Sequence, residues 1–365
     1  MQYQGVESGH SALTLIASDG TETTLPYLWL RDNCQCTDCR VVQTSEKKFH
    51  LVDVSVDIAP SSVAFQTDEL RLVWPDGHSS NFPASFIAAL TANEPRGRRA
   101  WPAAFRPPAV DFELFLSSDA EAVAAINEYL DTGVLLLGNA PVEPGTLEIL
   151  ASRLGPVREV LFERIHNVEV DPKGYNVAHT ALPLPPHNDF ASYTWPPSVQ
   201  ALHMLANETE GGESILVDGW QILEDLRQEN PEHFAALCSV SVPFREFDDD
   251  NETYTEMPMV RCNAKGEIVG LRYSNQLMQP MDPTGQGVEG FYRAYHELSQ
   301  RIMSGQARTS FRLEGGQILI LQAHRVLHGR HAFKPNARRH LQDAYYEHDN
   351  IRNHLVVLQR RMSDG

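Results

Sequence analysis

The residue types best suited to oxidative metal chemistry lie in the segment 184–190, which contains the pattern His-x-Asp. His187 and Asp189 are two residues apart, so both side chains point to the same side of an extended strand. The best third ligand is His328, which follows the apolar stretch 318–321 at a predicted strand end. Two histidines and one carboxylate on one face of an octahedron leave positions open for a co-substrate and dioxygen. The spacing therefore predicts a non-haem iron(II) centre.

The choice of the third ligand has competitors. His-x-Asp is a common chance pattern, and the chain contains 15 histidines. His324, His331 and His340 lie near His328 in sequence and could each serve in its place. The sequence favours His328 as the third ligand and leaves the other three histidines as alternatives.

Arg339 follows His328 by eleven residues and suggests what the open positions bind. A guanidinium group binds a carboxylate through two parallel hydrogen bonds. 2-Oxoglutarate chelates iron through its keto acid end and needs its far carboxylate held. A strand beside the one that bears His328 could place Arg339 there. The alternative is a solvated surface arginine, a description that suits the neighbouring Arg338 better.

Three of the five cysteines, Cys34, Cys36 and Cys39, are crowded in one segment. An odd, clustered count in a cytosolic chain favours metal binding over disulfides. Three close thiolates need a fourth ligand to complete a tetrahedron around Zn(II). The alternative is three free surface cysteines. Cys238 and Cys262 stand apart and are predicted to be buried thiols without a role.

The N-terminal part of the chain reads as a small domain of short elements. Residues 11–30 predict two strands around the Asp19-Gly20 turn, and the alternating stretch 49–58 predicts a third. Residues 70–74 predict another strand and 82–90 a short helix. The proline- and arginine-rich segment after them predicts a linker. We expect an N-terminal zinc-binding domain at 1–97, a linker at 98–108 and a catalytic domain at 109–365.

The catalytic domain is predicted to be mainly β with flanking helices, an α+β arrangement. Helices are expected at 119–131, with Ser118 as the N-cap, and at 146–154. Short strands with Gly and Pro turns favour a sandwich or jelly roll with the helices packed outside. The predicted strands are 134–137, 175–179, 199–205, 213–217, 239–244, 268–273, 308–313 and 317–322, and further helices are expected at 220–229 and 287–304.

Composition narrows the choice of partner and location. The net charge of −18 is unfavourable for binding nucleic acid or an anionic membrane, because phosphate is repelled at long range. The first ten residues are polar and do not resemble a signal peptide. No stretch approaches the roughly 20 apolar residues that a membrane helix needs. We expect a cytoplasmic protein with no nucleic-acid or membrane partner.

Five segments together are more specific than any one of them: 28–39 (LWLRDNCQCTDC), 74–78 (WPDGH), 186–189 (PHND), 211–219 (GGESILVDG) and 326–330 (VLHGR). On these segments the chain resembles the gamma-butyrobetaine dioxygenase-like family, within the taurine-dioxygenase-like superfamily, over nearly its whole length. The resemblance implies a double-stranded β-helix, iron at the predicted triad, and 2-oxoglutarate held by Arg339 with Ser214 nearby. It also implies that His78 is the fourth ligand of a structural zinc ion and that the protein is a homodimer.

The resemblance also implies a substrate pocket. The cage for a trimethylammonium group would consist of Phe162, His166, His179, Phe190 and Tyr345. His166 and His179 stand where the family has Trp, Phe or Tyr, and imidazole is a weaker partner for a cation. The anionic end of the substrate would be held by Asn176, Arg272 and Asn275. The acidic run 246–252 is predicted to be a solvated loop or, alternatively, a lid over the pocket.

The predicted function is hydroxylation of a small quaternary-ammonium zwitterion similar to gamma-butyrobetaine, with dioxygen consumed and succinate and CO2 formed. Enzyme alternatives are hydroxylation of a trimethylaminoalkyl phosphonate or of a less methylated amine. A different class is a catalytically idle metal-binding jelly-roll protein.

Overall fold

The computed structural model describes residues 3–66, 68–91, 98–161, 163–170 and 177–364. Contacts between Cα atoms divide the chain into two compact units, Met1–Pro95 and Arg96–Gly365.

The described part of the first unit holds two three-stranded antiparallel sheets, β1-β2-β3 and β4-β5-β6. Alternation in β2 and β5 buries Leu13, Leu15, Leu70 and Leu72, which pack around Trp74 in one core. The strands are β1 Tyr3–Ser8, β2 Ala12–Ala17, β3 Glu22–Pro26, β4 Ser62–Gln66, β5 Glu69–Val73 and β6 Ser79–Pro83, and the helices are α1 Tyr27–Asp32 and α2 Ala84–Thr91.

The strand predicted at 49–58 is wrong. The segment holds a 3-10 turn at Leu51–Asp53 followed by irregular chain. Val52 and Val56 are 89% and 73% exposed, so the apolar members of the alternation have no sheet or core to cover them. Alternation alone does not produce a strand without a neighbouring strand to pair with.

The second unit contains two larger sheets. The six-stranded sheet has the order β7-β8-β18-β11-β20-β9 and the four-stranded sheet the order β10-β19-β12-β17. The strands are β7 Ala109–Asp111, β8 Val134–Gly138, β9 His166–Val168, β10 Leu184–His187, β11 Val199–Asn207, β12 Ser214–Asp218, β13 Val242–Phe247, β14 Glu252–Met257, β15 Val260–Cys262, β16 Ile268–Leu271, β17 Arg308–Phe311, β18 Gln317–Gln322, β19 Val326–Arg330 and β20 Arg339–Tyr346.

The pleat of β18 shows how the layers of this unit are held together. Ile318 and Ile320 join a core with helices on one face, whereas Leu319 and Leu321 join a second core that includes Leu216 of the four-stranded sheet. Burial on both faces explains the continuous apolar run of this strand. The helices are α3 Phe112–Ser117, α4 Asp119–Thr132, α5 Thr146–Ile149, α6 Ala151–Leu154, α7 Gly219–Glu229, α8 Pro231–Ser239, α9 Val288–Met303 and α10 His348–Asp364.

Some of the predicted helices and strands match the structure, and others do not. Ser118 caps α4 as predicted, its hydroxyl accepting the Glu121 backbone N–H at 3.3 Å. The helix predicted at 146–154 is two short helices. The strand predicted at 175–179 lies partly outside the described residues, and its described part is a 3-10 turn at Val177–His179. Among the described helices, none is long and apolar enough to cross a membrane.

Candidate active site and metal centres

Two antiparallel strands bring the predicted histidines together. His187 at the end of β10 is paired with His328 in β19, and their ring centroids are 4.5 Å apart. Asp189 turns back toward both rings, with Oδ1 at 3.0 Å from His187 Nε2 and 3.7 Å from His328 Nε2. One ligand atom from each of the three residues lies within 4.8 Å of the others. This donor set fits a ferrous ion with open coordination positions.

The competing histidines lie elsewhere. His324 Nε2 donates to the Pro196 carbonyl at 3.1 Å, and His340 Nε2 lies 2.9 Å from the Asn167 side chain. His331 is exposed. The only clusters of metal-binding side chains found among the described residues are the triad and the cysteine cluster.

Electrostatics favour the ligating form of two members of the triad, Asp189 and His328. At His187, burial lowers the pKa, but the hydrogen bond and the charge of Asp189 outweigh it and raise the pKa. Burial opposes ionisation of Asp189, but His328, His187 and the Tyr345 hydroxyl together hold the pKa of that carboxyl well below its usual value. Burial lowers the pKa of His328 to about 4, which keeps this imidazole neutral. His187 Nδ1 donates to the Pro185 carbonyl at 2.9 Å, so Nε2 is the nitrogen available to a metal.

Gln200 is a site residue that the sequence did not reveal. It lies in β11 directly opposite Tyr345 in β20. Gln200 Nε2 and the Tyr345 hydroxyl both donate to Asp189 Oδ2, at 2.6 and 2.7 Å. Oδ2 is therefore held by hydrogen bonds while Oδ1 faces the two imidazoles. The one available signal was a polar residue within the buried run 199–205.

Asn188, between the two ligands, also went unnoticed. Its Nδ2 donates to the Ala323 carbonyl at 2.6 Å, and its Oδ1 accepts the Tyr273 backbone N–H at 2.7 Å. Phe190, which follows Asp189, has a positive φ of 51°. These contacts fix the direction in which the His-x-Asp segment presents its two ligands.

A cavity of about 660 Å³ opens beside the triad. His166, His179, Phe190 and Tyr345 all line it, as the predicted cage requires. The Tyr345 ring centroid lies 5.0 Å from that of Phe190 and 6.0 Å from that of His166. Phe162 and Asn176, also predicted to contact the substrate, lie outside the described residues.

Carboxyl groups dominate the charge of this cavity. Glu163, Glu246, Asp248 and Asp343 line it together with Asp189. Of the lining residues described, Arg245 is the only Arg or Lys, and it is paired with Glu252 at 2.8 Å. Burial, followed by the charge of Asp189, raises the pKa of Glu246 to about 7 and that of Asp343 to about 8.

The acidic run 246–252 is part of this wall. It forms the end of β13, the start of β14 and the turn between them, and Glu246, Phe247, Asp248 and Asn251 line the cavity. Phe247 is 58% exposed, so the run is a partly solvent-exposed hairpin turn that also forms one wall of the cavity.

Two predicted anion-binding residues are placed elsewhere. The Arg272 guanidinium donates to the backbone carbonyls of Ala191, Tyr193 and Thr194, and it lines a separate cavity of about 370 Å³. Asn275 is exposed and accepts the Tyr295 hydroxyl at 2.8 Å. The neighbouring positions Ser274 and Gln276 line the active-site cavity instead.

Arg339 and Ser214 are both buried, at the starts of β20 and β12. Arg339 Nε has no hydrogen-bond partner among the described residues. Burial, and then the charges of Arg330 and Arg312, lower the pKa of Arg339 to about 10. A buried guanidinium with an unpartnered nitrogen and cationic neighbours is suited to an anion. The carboxylate of 2-oxoglutarate fits this requirement.

The cysteine cluster in the first unit is a second metal-binding arrangement. The Sγ atoms of Cys34, Cys36 and Cys39 lie 3.3, 3.6 and 3.5 Å from His78 Nε2. His78 is oriented by the turn before it, where Asp76 accepts the His78 backbone N–H at 2.9 Å. Three thiols and an imidazole in one cluster fit tetrahedral Zn(II) with no position left open.

Cys238 and Cys262 are half-buried and line the smaller cavity. Burial raises the pKa of the Cys238 thiol to about 12, which argues against a reactive thiolate.

Comparison with known proteins defines the class. Residues 96–345 match the family model described as taurine catabolism dioxygenase TauD, TfdA family, and residues 6–87 match the model gamma-butyrobetaine hydroxylase-like, N-terminal. The chain belongs to the TauD/TfdA family of dioxygenases and carries the N-terminal domain of gamma-butyrobetaine hydroxylase-like proteins. The predicted family and the predicted dioxygenase class are both confirmed.

Two curated relatives match this chain along most of their length. The gamma-butyrobetaine dioxygenase of Pseudomonas sp. (strain AK-1) is 33% identical over 96% of this chain and 94% of its own length. The mitochondrial trimethyllysine dioxygenase of Mus musculus is 26% identical over 93% of this chain and 84% of its own. A solved asparagine oxygenase with Fe(II), hydroxyasparagine and succinate aligns with a TM-score of 0.49 and 17% identity, over 66% of this chain and 93% of its own.

Proposed function

We propose that this protein is an Fe(II)- and 2-oxoglutarate-dependent hydroxylase of a small zwitterion with a quaternary ammonium group, similar to gamma-butyrobetaine. One observation carries the proposal: the His187, Asp189 and His328 ligand atoms converge at the wall of a cavity lined by aromatic rings and carboxyl groups. A cation is attracted both by ring faces and by carboxylates, at about 0.5–2 kcal/mol per well-placed ring. The relatives' names, which include gamma-butyrobetaine and trimethyllysine, support this substrate class.

Particular side chains of this protein would bind the iron, bind 2-oxoglutarate and orient the metal ligands. His187, Asp189 and His328 would hold iron, and Arg339, with Ser214 nearby, would hold the far carboxylate of 2-oxoglutarate. When bound, iron and 2-oxoglutarate would activate dioxygen, so that one oxygen atom ends in succinate as CO2 is lost and the other hydroxylates an unactivated C–H bond of the substrate. Gln200 and Tyr345 orient the ligating carboxylate, and the cavity walls exclude water from the oxidant.

The remaining architecture is proposed on the same basis. The six-stranded and four-stranded sheets, which share a core between them, would be the two faces of a double-stranded β-helix. The division of contacts at 95/96 supports a zinc-binding domain at 1–97, a linker at 98–108 and an oxygenase domain at 109–365. Cys34, Cys36, Cys39 and His78 would bind structural zinc. We also propose that the protein is cytoplasmic and a homodimer. Size-exclusion chromatography with light scattering tests the oligomeric state.

The test is an anaerobic titration followed by a screen. 2-Oxoglutarate added to the Fe(II) protein without oxygen is expected to produce a visible charge-transfer band. Succinate release is then measured over betaines, methylated amino acids and aminophosphonates, with the largest rate expected for a betaine. No band and no succinate would favour the idle metal-binding alternative.

A less methylated amine is the second candidate, and it has a specific observation behind it. Asp343 places in the cavity wall a carboxyl oxygen that has no hydrogen-bond partner among the described residues, and an N–H of the substrate could donate to it. Phosphonates belong in the screen because a phosphonate could take the place of the carboxylate at the anionic end of the substrate.

A further inference from the structure

The smaller cavity, of about 370 Å³, differs in charge from the active-site cavity. Two arginines line it, Arg261 and Arg272, and none of the described residues in its lining is Asp or Glu. The rest of the lining is mostly apolar and includes Trp195, Met257 and Met259. In a chain with a net charge of −18, a pocket with two guanidinium groups and no carboxyl group differs from its surroundings. Its volume is within the range of small-molecule sites.

The β15–β16 pair and the residue after it place both guanidinium groups at this cavity. Arg261 in β15 is paired with Gly270 in β16, and its Nε and Nη2 atoms pass 3.6 Å from the position that a Cβ of Gly270 would take. The arginine therefore lies across the bare backbone of β16. Arg272 directly follows β16 and donates to three backbone carbonyls of the segment 191–194. These carbonyls fix the direction of the guanidinium group without neutralising its charge.

The two guanidinium groups are close enough to affect each other. Burial, followed by the charge of Arg261, lowers the pKa of Arg272 to about 10. Burial is also the main cause of the lowered pKa of His324 in the same lining, and both arginines add to it. An anion bound between the two guanidinium groups would remove their mutual repulsion.

Trp195 supplies a flat apolar face beside the two charges. Its side chain is 65% exposed, and Arg261 Cζ lies 5.5 Å from the centroid of its ring. Met257 and Met259 line the same cavity, and thioether groups make favourable contacts with aromatic rings. The lining therefore suits a ligand that joins an aromatic ring to a negatively charged group.

We propose that the smaller cavity is a second ligand site, distinct from the iron centre, and that it binds a small aromatic carboxylate. Arg261 and Arg272 hold the carboxylate, and Trp195 and the two methionines contact the ring. A guanidinium group has five N–H donors, and the bonds of Arg272 to carbonyls occupy at most three of them. At least two therefore remain for a carboxylate. This site is independent of the substrate proposed for the iron centre.

The experiment uses benzoate as the probe. Benzamide has the same shape without the charge, and acetate has the charge without the ring. Calorimetric titration is carried out on the anaerobic Fe(II)–2-oxoglutarate complex, so that the iron and Arg339 are already occupied. We expect benzoate to bind with a Kd of about 1 mM or below. Benzamide and acetate should each bind at least about tenfold more weakly, because each lacks one of the two contacts.

Two substitutions of exposed residues assign the binding to this cavity. Arg261→Gln should weaken benzoate binding by about fivefold, because solvent screens part of the attraction of an exposed charge. Trp195→Leu should weaken it by about threefold through loss of the ring contact. Arg293→Gln is the matched control: it removes an exposed charge from α9, where Arg293 pairs with Glu289, and should leave the Kd unchanged. Circular dichroism confirms that each variant is folded.

Three results would overturn the proposed second site. The first is the absence of benzoate binding at about ten times the expected Kd. The second is equal binding of benzoate and benzamide, which would mean that the carboxylate is not recognised. The third is a Kd for benzoate that Arg261→Gln changes no more than Arg293→Gln does. None of these results bears on the iron centre, whose own test is succinate release.

Discussion

The two metal-binding arrangements of this chain differ in how far apart in sequence their ligands lie. The zinc site takes three ligands from the six residues Cys34–Cys39 and the fourth from His78, all within one small unit. The iron site joins β10 to β19, whose paired ligands are 141 positions apart (328 − 187 = 141). The first has four protein ligands and no open position, whereas the second has three and adjoins a cavity. A closed local site stabilises a fold, and an open long-range site depends on one.

The largest effect should come from removing an iron ligand. His328→Ala is expected to reduce succinate formation by at least about a thousandfold, because the metal is lost or misplaced and the oxidant is not formed. His331→Ala is the control, since His331 is exposed and outside the triad. Initial rates of succinate release measure both variants. Full activity in the first and none in the second would show that the wrong histidine was chosen.

Removing zinc should lower the thermal stability of the protein, whereas removing an iron ligand should abolish its chemistry. Cys36→Ser is expected to lower the melting temperature by more than about 5 °C, because a structural zinc contributes folding free energy to a small domain. Cys238 is a half-buried thiol outside the cluster, so Cys238→Ser is the control and should lower the melting temperature less. Calorimetry measures the melting temperatures, and atomic absorption measures bound zinc. Loss of activity at an unchanged melting temperature would contradict a structural role.

Gln200 tests whether the iron site depends on residues behind the ligands. Gln200→Leu removes one of the two donors to Asp189 Oδ2 and should weaken Fe(II) binding by about 10- to 100-fold. Gln221→Leu, which alters a helix residue paired with Asp225, should leave the metal Kd unchanged. Anaerobic titration monitored by the charge-transfer band measures both. Equal Kd values for the two variants would mean that Tyr345 alone orients the carboxylate.

Glu246 should affect the pH dependence of stability rather than the chemistry, and its effect is measured on the metal-free protein. The folded protein keeps this proton up to about pH 7, whereas an unperturbed Glu releases it near 4.5. Between these values the folded state binds more protons, so the free energy of unfolding falls as pH rises. Glu246→Gln should therefore leave stability nearly unchanged at pH 4.5 and raise it by about 1–3 kcal/mol at pH 8. Urea unfolding at both pH values measures this; an equal gain at both would exclude titration as the cause.

Prediction from sequence succeeded where a short segment carries its own signal. Ser118 as an N-cap, the Asp19-Gly20 turn and the apolar β8 and β18 needed only local pattern. It failed at 49–58, where a strand pattern found no partner, and at Arg272, whose guanidinium contacts backbone carbonyls. Gln200 and Asp343 were missed because a polar residue within an apolar strand does not by itself show which group it contacts. Its meaning depends on which strand lies opposite.

The amino-acid sequence by itself determined the family, the dioxygenase class and the two candidate ligand sets, because these depend on residue types at short spacings and on whole-chain similarity. Only the tertiary structure decided which third histidine meets His187, which polar groups hold Asp189, and which carboxyls face the cavity. The reason is that strand register places distant residues on a common face, and a shift of one residue would turn each of these side chains to the opposite side.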